Sequence, residues 1–197
     1  MAVSMEQVKE LRERTGAGIL ECKKVLDETS GDVEKAIEVL RERGMAKAVK
    51  KASRDANEGL VASYIHMGGK IGTLVEVACE TDFVARTEEF QTLANEIALH
   101  IAAANPSFLN REQVDQETLD REREIYVSAA LEEGKPANIA EKIADGRLNK
   151  YYEENVLMEQ AYVRDPSITI EELVKQKIAK LGENIVVRNF ARFAIGE

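Results

Sequence analysis

Aromatic residues are few in this chain: among its 197 residues there is no tryptophan, and there are five phenylalanines. Rings of this size usually belong to apolar stripes, where they fill the core. Phe83 stands instead beside Asp82 in CETDFVARTEEF (79–90), where a strand-like pattern gives way to a helix-like one. The first question that the sequence raises is therefore what a large ring does beside a charge at a turn.

Cysteine and histidine are also scarce, with two residues of each. Cys22 and Cys79 stand far apart and form no CxxC pair, which argues against a metal or redox framework and suits the reducing cytosol. His66 and His100 lack the short spacing of a zinc-binding helix, which favours an ordinary structural role for each. We therefore expect neither a metal nor a cofactor.

Catalytic motifs are missing too. There is no GxSxG, and TGAGILECKK (15–24) lacks the Gly-Lys-Ser/Thr ending of a phosphate loop. The carboxylate pairs Glu88-Glu89 and Glu171-Glu172 fall in predicted first helical turns, where the positive end of the helix explains them. No residue is predicted to be catalytic, and the pattern favours a binding or regulatory protein over an enzyme.

The charge balance and the hydropathy pattern limit the partners. The net charge is -9, which argues against broad binding to a phosphate backbone. The longest basic cluster, KAVKKASR (47–54), is interpreted as a solvated linker helix rather than a nucleic-acid patch. No apolar run reaches the roughly 20 residues of a membrane span, and the first residues lack an apolar signal core. We expect a cytoplasmic protein that binds neither nucleic acid nor membrane.

Residues 4–44 predict three short helices. The first ends near TGAG, the second begins near Ile19, and Asp32 caps the third, which is expected to stop at Gly44. A separate basic helix is expected from about Ala46 to Arg54. The apolar positions that would form the small core are Val8, Leu11, Ile19, Cys22, Val25, Leu26, Val33, Ala36, Ile37 and Leu40.

The next segment predicts a β-hairpin. LVASYIH (60–66) and KIGTLVEVAC (70–79) are alternating and rich in β-branched residues, and Gly68-Gly69 suits the tight turn between them. One face of the second strand carries Ile71, Thr73, Val75, Val77 and Cys79. Cys79 is therefore expected to be a buried apolar residue rather than a reactive thiol.

Helical patterns fill most of the remaining chain. Thr87 begins a helix that Asn105-Pro106 ends, and two helices follow over roughly 117–133 and 136–157, with a bend at Gly146. Thr169 and Glu172 form a capping box for a last helix. The apolar faces of these four helices are assigned to Phe90, Leu93, Ala94, Ile97 and Ile101; to Leu119, Tyr126 and Ala130; to Ile139 and Ile143; and to Ile170, Val174, Ile178 and Leu181.

The order of the elements indicates an α+β fold. NIVVRNFARF (184–193) supplies a final strand, so that an N-terminal three-helix bundle precedes a three-stranded antiparallel sheet packed with helices. At TDFV (81–84) two interpretations stay open. The residue pattern favours Thr81 capping a turn while Phe83 enters the core; the alternative is that Phe83 and Asp82 are presented to a partner.

Three stretches bear a close resemblance to one protein family. LRERTGAGILECKKVL (11–26), VEVACETDFVAR (75–86) and GENIVVRNFARF (182–193) resemble bacterial translation elongation factor Ts, and GKPANIAEKIADGRLNKYYEENVLMEQAYV (134–163) is similar as well. The likeness covers essentially the whole chain and matches the short form of the family, with one copy of the core. It implies a first domain similar to ubiquitin-associated domains, and guanine-nucleotide exchange on the GTPase elongation factor Tu.

The resemblance also implies roles for particular positions. Docking of the first domain on the GTPase is implied for Arg12, Ile19 and Leu20, although a core role competes for Ile19. Disturbance of the magnesium and phosphate site of the GTPase is implied for Thr81, Asp82, Phe83 and Val84. A weaker contact with another domain of the GTPase is implied for His66.

The same resemblance predicts the domain organisation: 1–45 as the docking domain, 46–54 as a basic linker helix, and 55–197 as the core, with a helical pair inserted at about 117–157. Ala78 and Ala191 depart from the family pattern, since an asparagine is usual at the first position and some short members carry a cysteine at the second. Short members tend to dimerise, which leaves open a two-plus-two complex, but without a disulfide from the last strand.

Two rival functions remain at this point. Residues 4–44 alone would suit an adaptor similar to ubiquitin-associated domains. A cytosolic enzyme would need a titratable cluster in a cleft, and the sequence predicts none.

Overall fold

The computed structural model describes residues 3–196 and confirms the α+β fold. Eight helices and five strands follow one another in these residues: α1 Met5–Thr15, α2 Ile19–Glu28, α3 Val33–Lys51, β1 Glu58–Ile65, β2 Ile71–Cys79, α4 Asp82–Ala85, α5 Glu88–Ala104, α6 Gln116–Glu132, α7 Ala137–Asn155, β3 Ala161–Tyr162, β4 Asp165–Thr169, α8 Ile170–Leu181 and β5 Ile185–Ala194. Short 3₁₀ turns lie at Arg111–Gln113 and Leu157–Glu159. The main sheet has the strand order β1-β2-β5 and is antiparallel, and β3 pairs with β4 in a second, two-stranded sheet.

Helices α1 to α3 enclose the small core that the sequence predicts. Ser4 caps α1 in a capping box with Gln7, because each side chain bonds the backbone N–H of the other at 3.2 and 2.9 Å. The buried residues are Val8, Leu11, Cys22, Val25, Leu26, Ala36 and Leu40, with Val33 and Ile37 partly buried against them. Ile19 is half exposed and is not one of them, so the core role for this residue is wrong.

Helix α3 is longer than the sequence suggests. The predicted stop at Gly44 and the separate basic helix from Ala46 are both wrong, because α3 runs without interruption from Val33 to Lys51. Gly44 has a different role: a Cβ built on it would lie 3.2 Å from the Cβ of Ala179, so the missing side chain lets α8 approach closely. Lys51 then donates a hydrogen bond to the carbonyl oxygen of Gly182, at 2.5 Å, where α8 ends.

Strands β1 and β2 form the predicted hairpin. Gly68 and Gly69 have φ values of 89° and 69°, which residues other than glycine rarely adopt, so the turn requires glycine at both positions. His66 donates its backbone N–H to the carbonyl oxygen of Ile71 at 2.9 Å, which fixes the pairing next to the turn. The inner face of β2 is confirmed: Thr73, Val75, Val77 and Cys79 are buried, and Ile71 is partly buried.

Helix α5 carries a fully buried apolar stripe. Phe90, Leu93, Ala94, Ile97 and Ile101 are all completely buried, as the spacing predicts. The hydroxyl of Thr73 on β2 donates to the carbonyl oxygen of Ala98 at 2.8 Å, so a polar group on the inner strand face has a partner.

Helices α6 and α7 form the inserted pair, joined by a short connection around Gly134. Ala130, Ala140 and Ala144 are the buried residues at their contact, and Arg123 of α6 pairs with Glu141 and Asp145 of α7. The prediction that Ile139 lines this contact is wrong, because its side chain is 39% exposed. Alanine lets the two helices lie close together, and Ile139, next to Ala140 in the sequence, lies on the exposed side of α7. Helix α7 continues through Gly146 and ends at Asn155, two residues before the predicted end.

The strands β3 and β4 were not predicted from sequence, since β3 has two residues and β4 contains Pro166. The capping box that follows them is confirmed. Thr169 Oγ1 accepts from the N–H of Glu172, and the N–H of Thr169 donates to the Glu172 carboxylate, both at 3.2 Å. Gly182, with a φ of 82°, ends α8 as predicted.

The chain folds into two compact units, each built from several segments. One unit combines the chain up to Gly59 with Ala78–Gln91 and Val174–Val186; the other combines Leu60–Val77, Thr92–Leu173 and the chain from Val187 onward. The division into domains 1–45, 46–54 and 55–197 stays a prediction, because compactness alone does not identify independently folding parts, although residues 46–51 belong to α3 rather than to a separate helix.

Candidate functional site

The TDFV segment begins a four-residue helix, α4 (Asp82–Ala85), between β2 and α5. Thr81 is the N-cap, with an extended backbone, and its Oγ1 accepts a hydrogen bond from the N–H of Val84 at 3.4 Å. At the other end, Thr87 donates its hydroxyl to the carbonyl oxygen of Val84 at 2.7 Å and also accepts from the N–H of Phe90 at 3.3 Å. Two threonine caps therefore define this turn on both sides.

Phe83 points away from the core. Its side chain is 79% exposed, whereas Ala85 is buried and Val84 is partly buried. The capping role of Thr81 is confirmed, and the core position that the residue pattern favours for Phe83 is wrong. A helix of one turn can direct only part of its residues inward, and in α4 the small Ala85 occupies the buried position.

Asp82 lies on the exposed side of the same turn. Its carboxylate pairs with Arg86 one turn later, at 2.8 Å; the Arg86 side chain is 78% exposed and that of Asp82 is 44% exposed. Exposed pairs of this spacing contribute about 0.3–0.5 kcal/mol, so the Asp82 carboxylate can exchange this partner for another at little cost. Phe83 and Asp82 thus present an apolar ring and a charge at the same place.

The end of β2 that leads into α4 is buried. Cys79, the last residue of β2, is fully buried, and its thiol donates to the carbonyl oxygen of Thr81 at 3.2 Å. Burial raises the pKa of the Cys79 thiol, so the group stays protonated and can keep donating. The prediction that Cys79 is buried is confirmed.

The three predicted docking positions are all on the surface of the N-terminal helices. Arg12 is exposed in the last turn of α1, and Leu20 is 85% exposed in the first turn of α2. Ile19, which begins α2, is half exposed beside it. An isoleucine and a leucine side by side at an exposed helix start form an apolar surface that contributes nothing to the core of their own bundle.

The two histidines have different environments. His66 follows β1 and is exposed, with its Nδ1 3.0 Å from the hydroxyl of Tyr64. His100 is completely buried on α5 and has hydrogen-bond partners at both ring nitrogens, Gln160 and the backbone of Val163. Of the two, His66 is therefore the residue that a partner could reach.

Comparison with known proteins addresses the identity of the chain directly. A family model described as Elongation factor TS matches residues 3–197. The chain belongs to the elongation factor Ts family. An Elongation factor Ts from Caldanaerobacter subterraneus subsp. tengcongensis is 60% identical over 195 residues, which cover 99% of this chain and 98% of that protein.

Further members of the elongation factor Ts family are similarly close. The protein from Herpetosiphon aurantiacus is 59% identical over 196 residues, covering 100% of this chain and 99% of its own length. The protein from Thermosipho melanesiensis is 56% identical over 195 residues, covering 99% and 100%. Membership over the full length supports a role in translation elongation and nucleotide exchange, in agreement with the resemblance seen in the sequence.

Two further observations bear on the site classes considered from the sequence. Across residues 3–196, no helix combines the length and apolar character needed to cross a bilayer. In the same part of the chain, no group of three or more His, Cys, Asp or Glu side chains is arranged to hold a metal ion.

Sequence reasoning missed the residues that form hydrogen bonds to the start of α4. Glu183 and Asn184, between α8 and β5, bond to Thr81 and Glu80. The sequence signal that could have found them is a charged residue followed by an amide residue, Glu183-Asn184, between a glycine that ends a helix and an apolar strand. Such a pair predicts a polar contact, but not with which segment.

Proposed function

We propose that the chain is a guanine-nucleotide exchange factor for elongation factor Tu, which it binds in the GDP state to promote GDP release. The observation that carries this proposal is the exposure of Phe83, at 79%, on a turn capped at both ends. Exposure of a large aromatic ring to water costs free energy in the free protein, and a partner that covers the ring recovers that free energy. Full burial of such a side chain is worth about 1.5–3 kcal/mol.

In this mechanism Phe83 inserts into the GTPase next to its magnesium and phosphate site. Mg²⁺ demands near-octahedral coordination, so small displacements of the elements that hold it weaken its binding and that of the GDP phosphates. Phe83 supplies the bulk that displaces those elements. Asp82 adds a negative charge beside the ring, where it can compete with phosphate oxygens for nearby donors.

Exchange then follows from thermodynamic coupling. If binding of the factor weakens GDP, binding of a nucleotide must weaken the factor to the same extent. The factor therefore leaves when a new nucleotide enters, and it need not prefer GTP. An excess of GTP in the cytoplasm, where this proposal places the reaction, determines which nucleotide enters.

The remaining predicted contacts have a docking role. Arg12, Ile19 and Leu20 would bind the GTPase domain through a mixed apolar and cationic surface, and the exposed His66 would make a lesser contact elsewhere on the GTPase. These residues fix where the factor binds, while Asp82 and Phe83 change what happens at the nucleotide. The absence of direct contacts with nucleic acid or membrane stays a prediction.

The experiment is release of a fluorescent GDP analogue from elongation factor Tu, followed at several concentrations of the factor. The double variant Asp82→Ala/Phe83→Ala is expected to lose most of the acceleration while keeping the unfolding temperature of the parent protein. Phe193→Ala is the matched control, since Phe193 is 70% exposed but lies on β5. Unchanged acceleration by the folded double variant would rule out the mechanism.

A homodimer, giving a two-plus-two complex with the GTPase, is part of the proposal. The outer face of the β1–β2 hairpin supports it: Val61, Ile65 and Leu74 are 65%, 66% and 46% exposed. Ile65 lies over Gly72, where an added Cβ would come within 2.9 Å of its Cδ1, so the apolar surface continues across both strands. Light scattering with and without the GTPase measures the stoichiometry, and a monomer that binds a single GTPase would contradict the dimer.

A further inference from the structure

Thr81, the N-cap of α4, is held by a residue far away in the sequence. Its backbone N–H donates to Oε2 of Glu183 at 3.0 Å, and its hydroxyl donates to Oε1 of the same carboxylate at 2.7 Å. Both carboxylate oxygens are thus bonded to one residue. Such bidentate, charge-assisted bonds fix orientation as well as distance.

The neighbouring residues make the complementary bond. Glu80, just before Thr81, accepts the backbone N–H of Asn184 at 2.6 Å. Each of the two segments, 80–81 and 183–184, therefore bonds a carboxylate to the backbone of the other. We name these four residues, Glu80, Thr81, Glu183 and Asn184, the clasp.

The clasp is connected to the end of α3. Asn184 is buried, and its side-chain amide donates to the carbonyl oxygen of Arg54 at 2.8 Å and to that of Ala52 at 3.4 Å. The Arg54 guanidinium in turn lies 3.4 Å from the Glu80 carboxylate. Three segments are joined at this point, and the clasp therefore has little freedom to shift.

Helix α4 needs this support. A single turn of helix is not stable by itself, because its few internal hydrogen bonds do not offset the entropy lost on ordering it. Phe83 is largely exposed and, among the ion pairs of the described residues, Asp82 pairs with Arg86 one turn later, so neither residue links α4 to a distant segment. Thr81 fixes the start of the turn that presents Phe83, and Glu183 holds Thr81 through two hydrogen bonds from a distant segment.

We propose that Glu183 is a positioning residue for nucleotide exchange, which holds Thr81 so that Phe83 is presented in the orientation that enters the GTPase. This inference rests on the proposed function. It assigns to Glu183 an effect on the exchange step rather than on docking. Preordering of Phe83 removes an entropic cost that would otherwise fall on the complex in which the nucleotide leaves.

The test is a double-mutant cycle with Glu183→Ala and Phe83→Ala, read as release of a fluorescent GDP analogue at saturating factor. Glu183→Ala alone is expected to lower the saturating rate roughly five- to tenfold, with little change in the half-saturating concentration. In the Phe83→Ala background the same substitution is expected to change the rate less than about twofold, because the ring that it positions is gone.

Glu89→Ala is the matched control. Glu89 pairs with Lys177 at 3.0 Å and with Lys180, both on α8, so Glu89→Ala also breaks charge-assisted bonds. Neither of these bonds involves a residue of the clasp. If Glu183→Ala does not fold, Glu183→Gln preserves the side-chain volume and removes the charge, and the same cycle is measured with it.

The outcomes separate the two proposals. If Phe83→Ala slows exchange, while Glu183→Ala slows it no more than Glu89→Ala does, the positioning role is wrong and the proposed function stands. The positioning role is also wrong if the losses from Glu183→Ala and Phe83→Ala multiply in full. If Phe83→Ala leaves exchange unchanged, insertion of Phe83 is wrong, and the inference about Glu183 is wrong with it.

Discussion

Nε2 of His100 lies 2.9 Å from Oε1 of Gln160, and both side chains are buried. Nδ1 of the same ring accepts the backbone N–H of Val163 at 3.3 Å. A ring that donates at Nε2 and accepts at Nδ1 is neutral, since the cation has no acceptor. Burial lowers the pKa of His100, and the hydrogen bond that the ring donates to Gln160 offsets only part of that effect. Protonation would also break the bond with Val163, because it removes the acceptor at Nδ1.

We therefore expect the free energy of unfolding to decrease as the pH falls below about 6.5, the ordinary histidine value. Below that pH the histidine of the unfolded chain binds a proton, whereas buried His100 in the folded chain resists it. The stabilisation from neutral His100 is therefore complete above about 6.5 and is lost as the pH falls to the lower pKa that His100 has in the folded chain. The slope is at most about 1.4 kcal/mol per pH unit. Urea unfolding at a series of pH values measures it. His100→Gln should flatten the slope, and a slope that this substitution leaves unchanged would contradict the role of His100.

The two glycines inside long helices are expected to respond in opposite directions. Gly146→Ala should raise the free energy of unfolding by about 0.5–1 kcal/mol, because alanine favours the helix and an added Cβ meets no atom within 4 Å. Gly44→Leu should lower it by about 1–3 kcal/mol, because the side chain would overlap Ala179. Denaturant unfolding of both variants provides the comparison, and a stabilised Gly44→Leu protein would contradict the close approach of α3 and α8.

The cap of α8 offers a separate test of local energetics. Thr169→Ala is expected to cost about 1 kcal/mol, because the N–H of Glu172 loses the hydroxyl that accepts it. Thr169→Ser keeps that hydroxyl and should cost only a fraction as much. Unfolding temperatures of the two variants decide the point, and equal losses would show that the methyl group rather than the cap matters.

Docking and exchange should separate kinetically. Leu20→Ala is expected to raise the half-saturating concentration of the factor several-fold in the GDP-release assay, at an unchanged saturating rate, because Leu20 lies on the proposed docking surface. Leu131→Ala, at another exposed leucine on α6, is the control and should change neither quantity. A lower saturating rate for Leu20→Ala would place this residue in the exchange step instead.

Local patterns were sufficient wherever both partners of a contact lie within a few residues. The stripe from Phe90 to Ile101 follows from helical spacing, and the Thr169–Glu172 capping box from a three-residue separation. The hairpin turn at Gly68-Gly69 follows from the backbone conformation that only glycine adopts easily. Such features depend on little beyond the segment itself, so the sequence predicts them.

Contacts between distant segments explain what the sequence did not predict. A glycine that ends a helix and a glycine that admits a neighbouring helix look alike in sequence, and only the presence of Ala179 distinguishes Gly44. Phe83 resembles a core residue until the single turn of α4 is seen to bury Ala85. Within the site, the capping role of Thr81 was predictable from its neighbours, whereas its bonds to Glu183 required the fold.

Cys22 and Cys79 are both buried, and burial raises the pKa of both thiols. A thiol reagent can therefore modify the native chain only when the surrounding structure opens, and the rate of modification reports how often that happens. Modification of Cys22 would report on opening of the helical core of α1 to α3, and modification of Cys79 on opening at the end of β2, next to α4. The unaltered protein thus carries two internal probes, one for each of the surfaces through which it is proposed to meet the GTPase.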